Sequence, residues 1–186
     1  IMSEVEQLII RFINSRDLIR MSNYQKVDQA LLDKLVAQAY SSPRKRSHLN
    51  FHENFEEPVQ RVFIALAKGT YVKPHRHPQA LKWELIMGVR GRTALIIFDD
   101  KGVVSDAMVL NGEDGAFGIE IKPNTWHTVL PLDEDAVILE IKQGPYNPSD
   151  LAEFAEWSPD EGDVEGAAFI DWAACAQAGD QYIQPY

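Results

Sequence analysis

The sequence predicts an all-β fold, an antiparallel sandwich or barrel with helices ahead of it and a helical or loop extension behind it. Two observations carry that prediction. From Gln60 to Lys142 the chain is a succession of short apolar runs, at 60–67, 70–77, 83–89, 92–98, 107–110, 116–121, 126–130 and 136–142. Between them stand turn formers such as Lys68-Gly69, Asp99-Asp100-Lys101-Gly102, Asn111-Gly112-Glu113-Asp114-Gly115 and Pro131-Leu132-Asp133-Glu134-Asp135. Short strands punctuated this closely leave no room for the crossover helices of βαβ units.

Taken in order, residues 4–20 carry Val5, Leu8, Ile9, Phe12 and Ile13 at helical spacing, which predicts an amphipathic helix. A second helix is predicted over 28–40, where Asp28 serves as cap and Leu31, Leu32, Leu35, Val36 and Ala39 form one stripe. Ser41-Ser42-Pro43 stops it, and 44–58 is polar and turn-prone. After Gly144-Pro145 the composition turns acidic, with Asp160-Glu161-Gly162-Asp163, and a short last helix is predicted around 167–177. The chain opens on Ile1, with methionines at 2 and 21, so residues 1–20 are set apart as an N-terminal extension. The expected organisation is therefore 1–20 extension, 21–58 helix and linker, 59–145 β domain, and 146–186 C-terminal extension.

At 186 residues and 45% hydrophobic content the chain suits one packed domain. No apolar run reaches the roughly 18 residues that span a bilayer, and Cys175 is the sole cysteine, so no intrachain disulfide can form. The expectation is a cytoplasmic protein without a membrane partner. A net charge of -10 opposes nucleic-acid binding. The charge is unevenly placed: from Arg44 to Arg92, ten Lys/Arg stand against four Asp/Glu, whereas the rest of the chain carries eight against twenty-four. Two readings of that basic block stand, a positive rim that attracts a small anionic molecule and ordinary solvated side chains between strands.

Three of the five histidines form two short segments inside this β region. His75 and His77 in Pro74-His75-Arg76-His77 are separated by one residue, and on a strand that spacing presents both imidazoles on one face. A carboxylate from a neighbouring strand and the later His127, in Pro123-Asn124-Thr125-Trp126-His127, would complete a nitrogen-and-oxygen donor set for a divalent transition metal. His48 and His52 read as surface or hydrogen-bonded side chains, and Trp83, Trp126 and Phe98 as packing. Arg61, just before the motif strand, and Tyr71, within it, are candidates to touch a substrate.

The first segment resembles the first motif of the cupin superfamily, G(X)5HXH(X)3-4E(X)6G. Gly69, five residues, His75, Arg76 and His77 match it, as do Glu84, six residues and Gly91, while the gap between His77 and Glu84 is six residues. Two extra residues in a hairpin loop preserve strand parity, which keeps Glu84 as the carboxylate, and Gln79 shares that parity as a neutral substitute. The second motif, G(X)5PXG(X)2H(X)3N, is looser, with Thr125 in place of the internal glycine and Pro131 in place of the closing Asn. More narrowly, stretches over about 21–160 are similar to WbuC-type cupin-fold metalloproteins of bacterial surface-polysaccharide gene clusters.

The resemblance implies a double-stranded β-helix, or jelly roll, with one metal (Fe, Mn, Co, Ni or Zn) on His75, His77, Glu84 and His127. It implies a metal-dependent enzyme acting on a small anionic carbohydrate or nucleotide sugar in a homodimer. A non-catalytic sensor and an iron-dependent dioxygenase are the competing classes.

Overall fold

The computed structural model describes residues 23–113, 115–147, 149 and 152–183. Within them run α1 (Gln29–Ser41), β1 (Arg46–Asn50), β2 (Val59–Ala67), β3 (His75–Arg76), β4 (Glu84–Arg90), β5 (Thr93–Phe98), β6 (Val104–Leu110), β7 (Gly118–Ile121), β8 (Trp126–Pro131), β9 (Asp135–Gln143), β10 (Glu153–Phe154) and α2 (Glu165–Ala173). The strands form two five-stranded antiparallel sheets, ordered β1-β2-β9-β4-β7 and β10-β3-β8-β5-β6. From β6 onward each successive strand lies in the opposite sheet, so the chain winds back and forth between the layers. This is a jelly-roll architecture.

The layers follow from strand alternation. Val62, Ile64 and Leu66 of β2, Ile86 of β4 and Ile138 of β9 meet Leu95, Leu110 and Val129 of the other sheet in the central core. The alternate residues of β2, Phe63, Ala65 and Ala67, face outward and are covered by Leu32, Leu35, Val36 and Ala39 of α1. That is why β2 is buried along nearly its whole length. At the start of α1, Asp28 Oδ1 accepts the Leu31 N–H at 3.1 Å, the expected N-cap. On the second sheet the outward residues Ala94, Ile96, Phe98 and Leu130 are covered by Phe169 and Ala173 of α2 together with Tyr71 and Tyr182.

The β domain extends beyond the expected 59–145. Strand β1 pairs with β2 inside the expected linker, and β10 pairs with β3 inside the expected C-terminal extension. Neither contains an apolar run, because β1 is polar at alternate positions and β10 is two residues long. Of the run 70–77 only His75–Arg76 is strand; Pro74 has no N–H to give a ladder, and its carbonyl accepts from Ala155. Helix α2 occupies Glu165–Ala173 rather than 167–177. The helix expected over 4–20 lies outside the described residues. Among the described residues no helix is long and apolar enough to cross a membrane. Both glycines that frame the first motif have positive φ, Gly69 at 84° and Gly91 at 62°, a conformation glycine adopts without steric cost.

Candidate functional site

Register brings the histidines together. His75 of β3 is the direct cross-strand partner of His127 of β8, and their ring centroids are 4.5 Å apart. His77 follows on the same side, 5.5 Å from His75 and 6.4 Å from His127. The intervening Arg76 points the other way, over the Trp126 ring at 4.5 Å, and pairs with Asp100 and Glu153. Glu84, the first residue of β4, comes from the opposite sheet and is buried with Ile86 on its inner face. Its Oε1 is 3.3 Å from His77 Nε2 and its Oε2 is 3.2 Å from His127 Nε2.

The structure corrects one step of the sequence argument. The six residues between His77 and Glu84 form no hairpin, because β3 and β4 belong to different sheets. The inward aim of Glu84 is set by the pairing of β4 with β7 and β9 and not by parity carried around a loop. Gln79 is not among the residues that line the cavity described below.

Backbone carbonyls orient two of the rings. His75 Nδ1 is 3.0 Å from the Lys73 carbonyl and His127 Nδ1 is 2.9 Å from the Thr125 carbonyl. A carbonyl only accepts, so both Nδ1 atoms carry the proton and both Nε2 edges are left for the interior. Burial, with the adjacent positive His127, pushes His75 down to about 3, so it is neutral. Burial favours the neutral form of Glu84, but hydrogen bonds from His127 and His77 outweigh it and hold the carboxyl well below the usual range. For His127, burial favours the neutral ring, and the hydrogen bond and charge of Glu84 outweigh that, raising it. Lys142, the β9 cross-strand neighbour of Glu84, lies 3.7 Å from Glu84 Oε1 and 2.6 Å from Glu140 Oε1. Its burial is outweighed by those two carboxylates, so it stays charged.

Three imidazoles and a carboxylate are donor types that suit a divalent transition metal. Two donors at about 2.1 Å from one cation and at right angles to each other lie about 3.0 Å apart, close to the 3.2 and 3.3 Å that separate Glu84 from the two imidazoles. Among the described residues no group of three or more His, Cys, Asp or Glu side chains is arranged to hold a metal ion. These donors form a hydrogen-bonded cluster instead, in which Glu84 accepts from the Nε2 edges of His77 and His127.

The cluster lies at one side of a cavity of about 520 Å³. Val62, Ile64, Leu66, Ile86, Val129 and Ile138 floor it, and the inward residues of β1 and the one beyond it, Arg46, His48, Asn50 and His52, add a polar strip. Phe55, Tyr146 and Phe154, each about half exposed, also line it. A second depression, beside Arg90, Gly91 and Leu132–Asp135, contains no histidine.

Two expected substrate contacts lie elsewhere. Arg61 is on the outward phase of β2, and its guanidinium pairs with Glu57. Tyr71 donates its hydroxyl to the Pro159 carbonyl at 2.8 Å and packs against Phe169 under α2; burial pushes its phenol up to about 12. His48 and His52, read as ordinary from sequence, line the cavity. The signal that would have found them is the period-2 polar pattern Arg46-X-His48-X-Asn50-X-His52, which marks a strand with a polar inner face.

A family described as a domain of unknown function, DUF6016, matches residues 27–110. No curated protein matches the chain. Among solved structures it is similar to a cupin 2 conserved barrel domain protein from Rhodopseudomonas palustris, with 13% identity and TM-score 0.45 over 59% of this chain and 66% of that one. It is also similar to an oxalate oxidase in complex with the substrate analogue glycolate, with 17% identity and TM-score 0.47 over 63% of this chain and 59% of that one. A cupin-2 domain from Rhodospirillum rubrum aligns with 17% identity and TM-score 0.47 over 72% of this chain and 84% of that one. For the first two the match spans less than two thirds of the other chain.

Proposed function

We propose that this chain is a metal-dependent enzyme that acts on a small anionic carbohydrate or nucleotide sugar, and that His75, His77, Glu84 and His127 hold one divalent transition metal. The observation that supports it most is the convergence of three imidazoles from β3, its following residue and β8 on a buried carboxylate from the facing sheet. A metal bound there supplies Lewis-acid polarisation of a substrate oxygen, or a bound water of lowered pKa. The chain's own residues do the rest. The carbonyls of Lys73 and Thr125 fix the rings, Lys142 balances Glu84, and the apolar floor excludes water from the far side of the substrate. Asn50 and His48 offer hydrogen bonds to hydroxyls, and the half-exposed faces of Phe55, Tyr146 and Phe154 offer stacking surface to a sugar ring.

A role in bacterial surface-polysaccharide synthesis follows from the motif resemblance and is part of this proposal. So are a cytoplasmic setting and a homodimer formed through edge strands; β1 and β7 edge one sheet, β10 and β6 the other.

The test is metal content by mass spectrometry on protein purified without an affinity tag or chelator, for the parent, His75→Ala and His127→Ala. About one transition metal per chain, lost in both variants, supports the proposal. Metal absent after reconstitution, or unchanged in both variants, refutes it and leaves a non-catalytic binding module. Oxygen uptake by the iron-loaded protein would select the dioxygenase class instead.

A further inference from the structure

The cavity wall also holds a carboxylate that belongs to the chain itself. Glu161 lies in the turn just before α2, and its side chain accepts three guanidinium N–H bonds. Arg44 Nε and Nη2 reach Oε1 and Oε2 at 2.5 and 2.7 Å, and Arg46 Nη2 reaches Oε1 at 2.8 Å. A two-pronged bond from one guanidinium with a third from another is how proteins recognise carboxylates and phosphates. Arg44, Arg46 and Glu161 all line the cavity that contains the histidine cluster.

We infer that Arg44 and Arg46 form an anion-binding subsite for the acidic group of a polyhydroxylated ligand, and that Glu161 occupies it in the absence of that ligand. The inference rests on the proposed carbohydrate function and names the part of the substrate that this wall reads.

Three features make this more than a surface ion pair. The Arg46 side chain is only 7% exposed, and its other prong is fixed on the Tyr71 carbonyl at 2.7 Å, so the cation is held in place whether or not Glu161 is there. Glu161, by contrast, is on an exposed turn. The next residue, Gly162, has φ +104° with nothing within 4 Å of where a side chain would be, so no core packing follows Glu161 along this turn. The backbone just before it stays anchored, since Pro159 accepts the Tyr71 hydroxyl. Lastly, the polar strip continues along the same cavity from Arg46 through His48 and Asn50 to His52, which places further hydrogen-bonding side chains beside the two guanidinium groups.

The experiment is calorimetric titration of the full-length protein with D-glucuronate, glucose 1-phosphate and D-glucose, with metal content measured on the same samples. Glu161→Gln removes the resident negative charge and leaves only a neutral amide oxygen on the two guanidinium groups, so it is expected to bind at least one of the two anionic sugars at least tenfold tighter than the parent, about 1.4 kcal/mol. Whichever anion gains identifies a carboxylate or a phosphate as the group read. Glucose affinity stays unchanged, and Glu156→Gln, which alters the net charge equally at an exposed site, gives no gain. Arg44→Met, at a side chain 57% exposed, is expected to weaken anion binding at least fivefold in the parent background, so the inference is tested even if Glu161→Gln does not fold. Equal anion affinity in parent and Glu161→Gln, an equal gain in Glu156→Gln, or unchanged binding in Arg44→Met overturns it. Because binding is read independently of metal, a metal-free protein that gains anion affinity defeats the metal proposal alone. A metal-loaded protein that does not gain it defeats the subsite alone.

Discussion

Glu84→Gln separates a metal ligand from a buried hydrogen-bonding residue. The carboxylate is 3% exposed, and without metal its role is to accept from His77 and His127 and to face Lys142. An amide of the same shape can accept with its oxygen and donate with its nitrogen to a neutral ring, and Lys142 keeps Glu140 at 2.6 Å. The metal-free cost is therefore limited to the charge-assisted part of those bonds, about 1–3 kcal/mol. The metal-dependent effect is different in kind. A metal at 100 times its dissociation constant stabilises the folded state by about 2.7 kcal/mol. Loss of a carrier's outer supporting group weakens metal sites about 10–100-fold, so loss of a directly bound anionic oxygen is expected to weaken this one at least about 100-fold. The same metal concentration then equals the dissociation constant and stabilises by only about 0.4 kcal/mol. In thermal unfolding the metal-induced rise falls from about 5–10 °C to about 1 °C. The assay is a melting curve for each protein with chelator and with Mn²⁺ or Zn²⁺ at 100 times the parent's dissociation constant. A variant that melts lower than the parent in chelator yet rises by the same amount with metal refutes Glu84 as a ligand.

Two further predictions concern the frame that positions the site. Leu35→Ala removes a side chain 2% exposed between α1 and the outer face of β2 and is expected to cost about 2–5 kcal/mol in urea unfolding. A smaller loss would mean that α1 does not hold that face. Gly91→Ala places a methyl 2.3 Å from the Asp135 carbonyl oxygen at φ +62°, so its melting temperature is expected to fall. A rise, as replacement of a glycine gives where the backbone tolerates it, would contradict the observed β4–β5 turn.

The fold was legible wherever strands bury apolar side chains on one or both faces. Strands β2, β5, β8 and β9 are recognisable because Val, Ile, Leu and Phe recur in them at strand spacing. Strand β1 was hidden by its polar inner face, since its inward positions carry Arg46, His48 and Asn50 where a core strand would carry aliphatic residues. The histidine cluster was legible from spacing, because His75 and His77 share a face in an extended chain and Pro123 marks the turn before β8. Arg61 and Tyr71 were misplaced for a single reason. Sequence gives nearness to the motif but not phase, and Arg61 has the outward phase on β2 whereas Tyr71 turns toward α2 before β3 begins.

The charge segregation seen in the sequence acquires a physical meaning once the partners are known. The basic block does not present a bare positive rim. Arg44 and Arg46 face Glu161, Lys73 faces Asp160, Arg76 faces Glu153 and Asp100, Arg92 faces Asp133, and Lys68 faces Glu134. Acidic side chains from the later half of the chain already meet those cations, so long-range attraction of an anionic substrate is weak. At the inferred subsite, binding is then an exchange, in which an incoming anion takes the place of a resident carboxylate and the net charge at the clamp changes little. Exchange of this kind predicts that anion affinity of the parent depends weakly on ionic strength. The neutralised clamp of Glu161→Gln, where an anion meets two guanidinium groups without a compensating charge, should lose affinity steeply as salt is raised, because screening acts on the whole of that attraction. Titrations at 50 and 300 mM salt measure both slopes. An equally steep slope in the parent would place anion binding on cations other than Arg44 and Arg46.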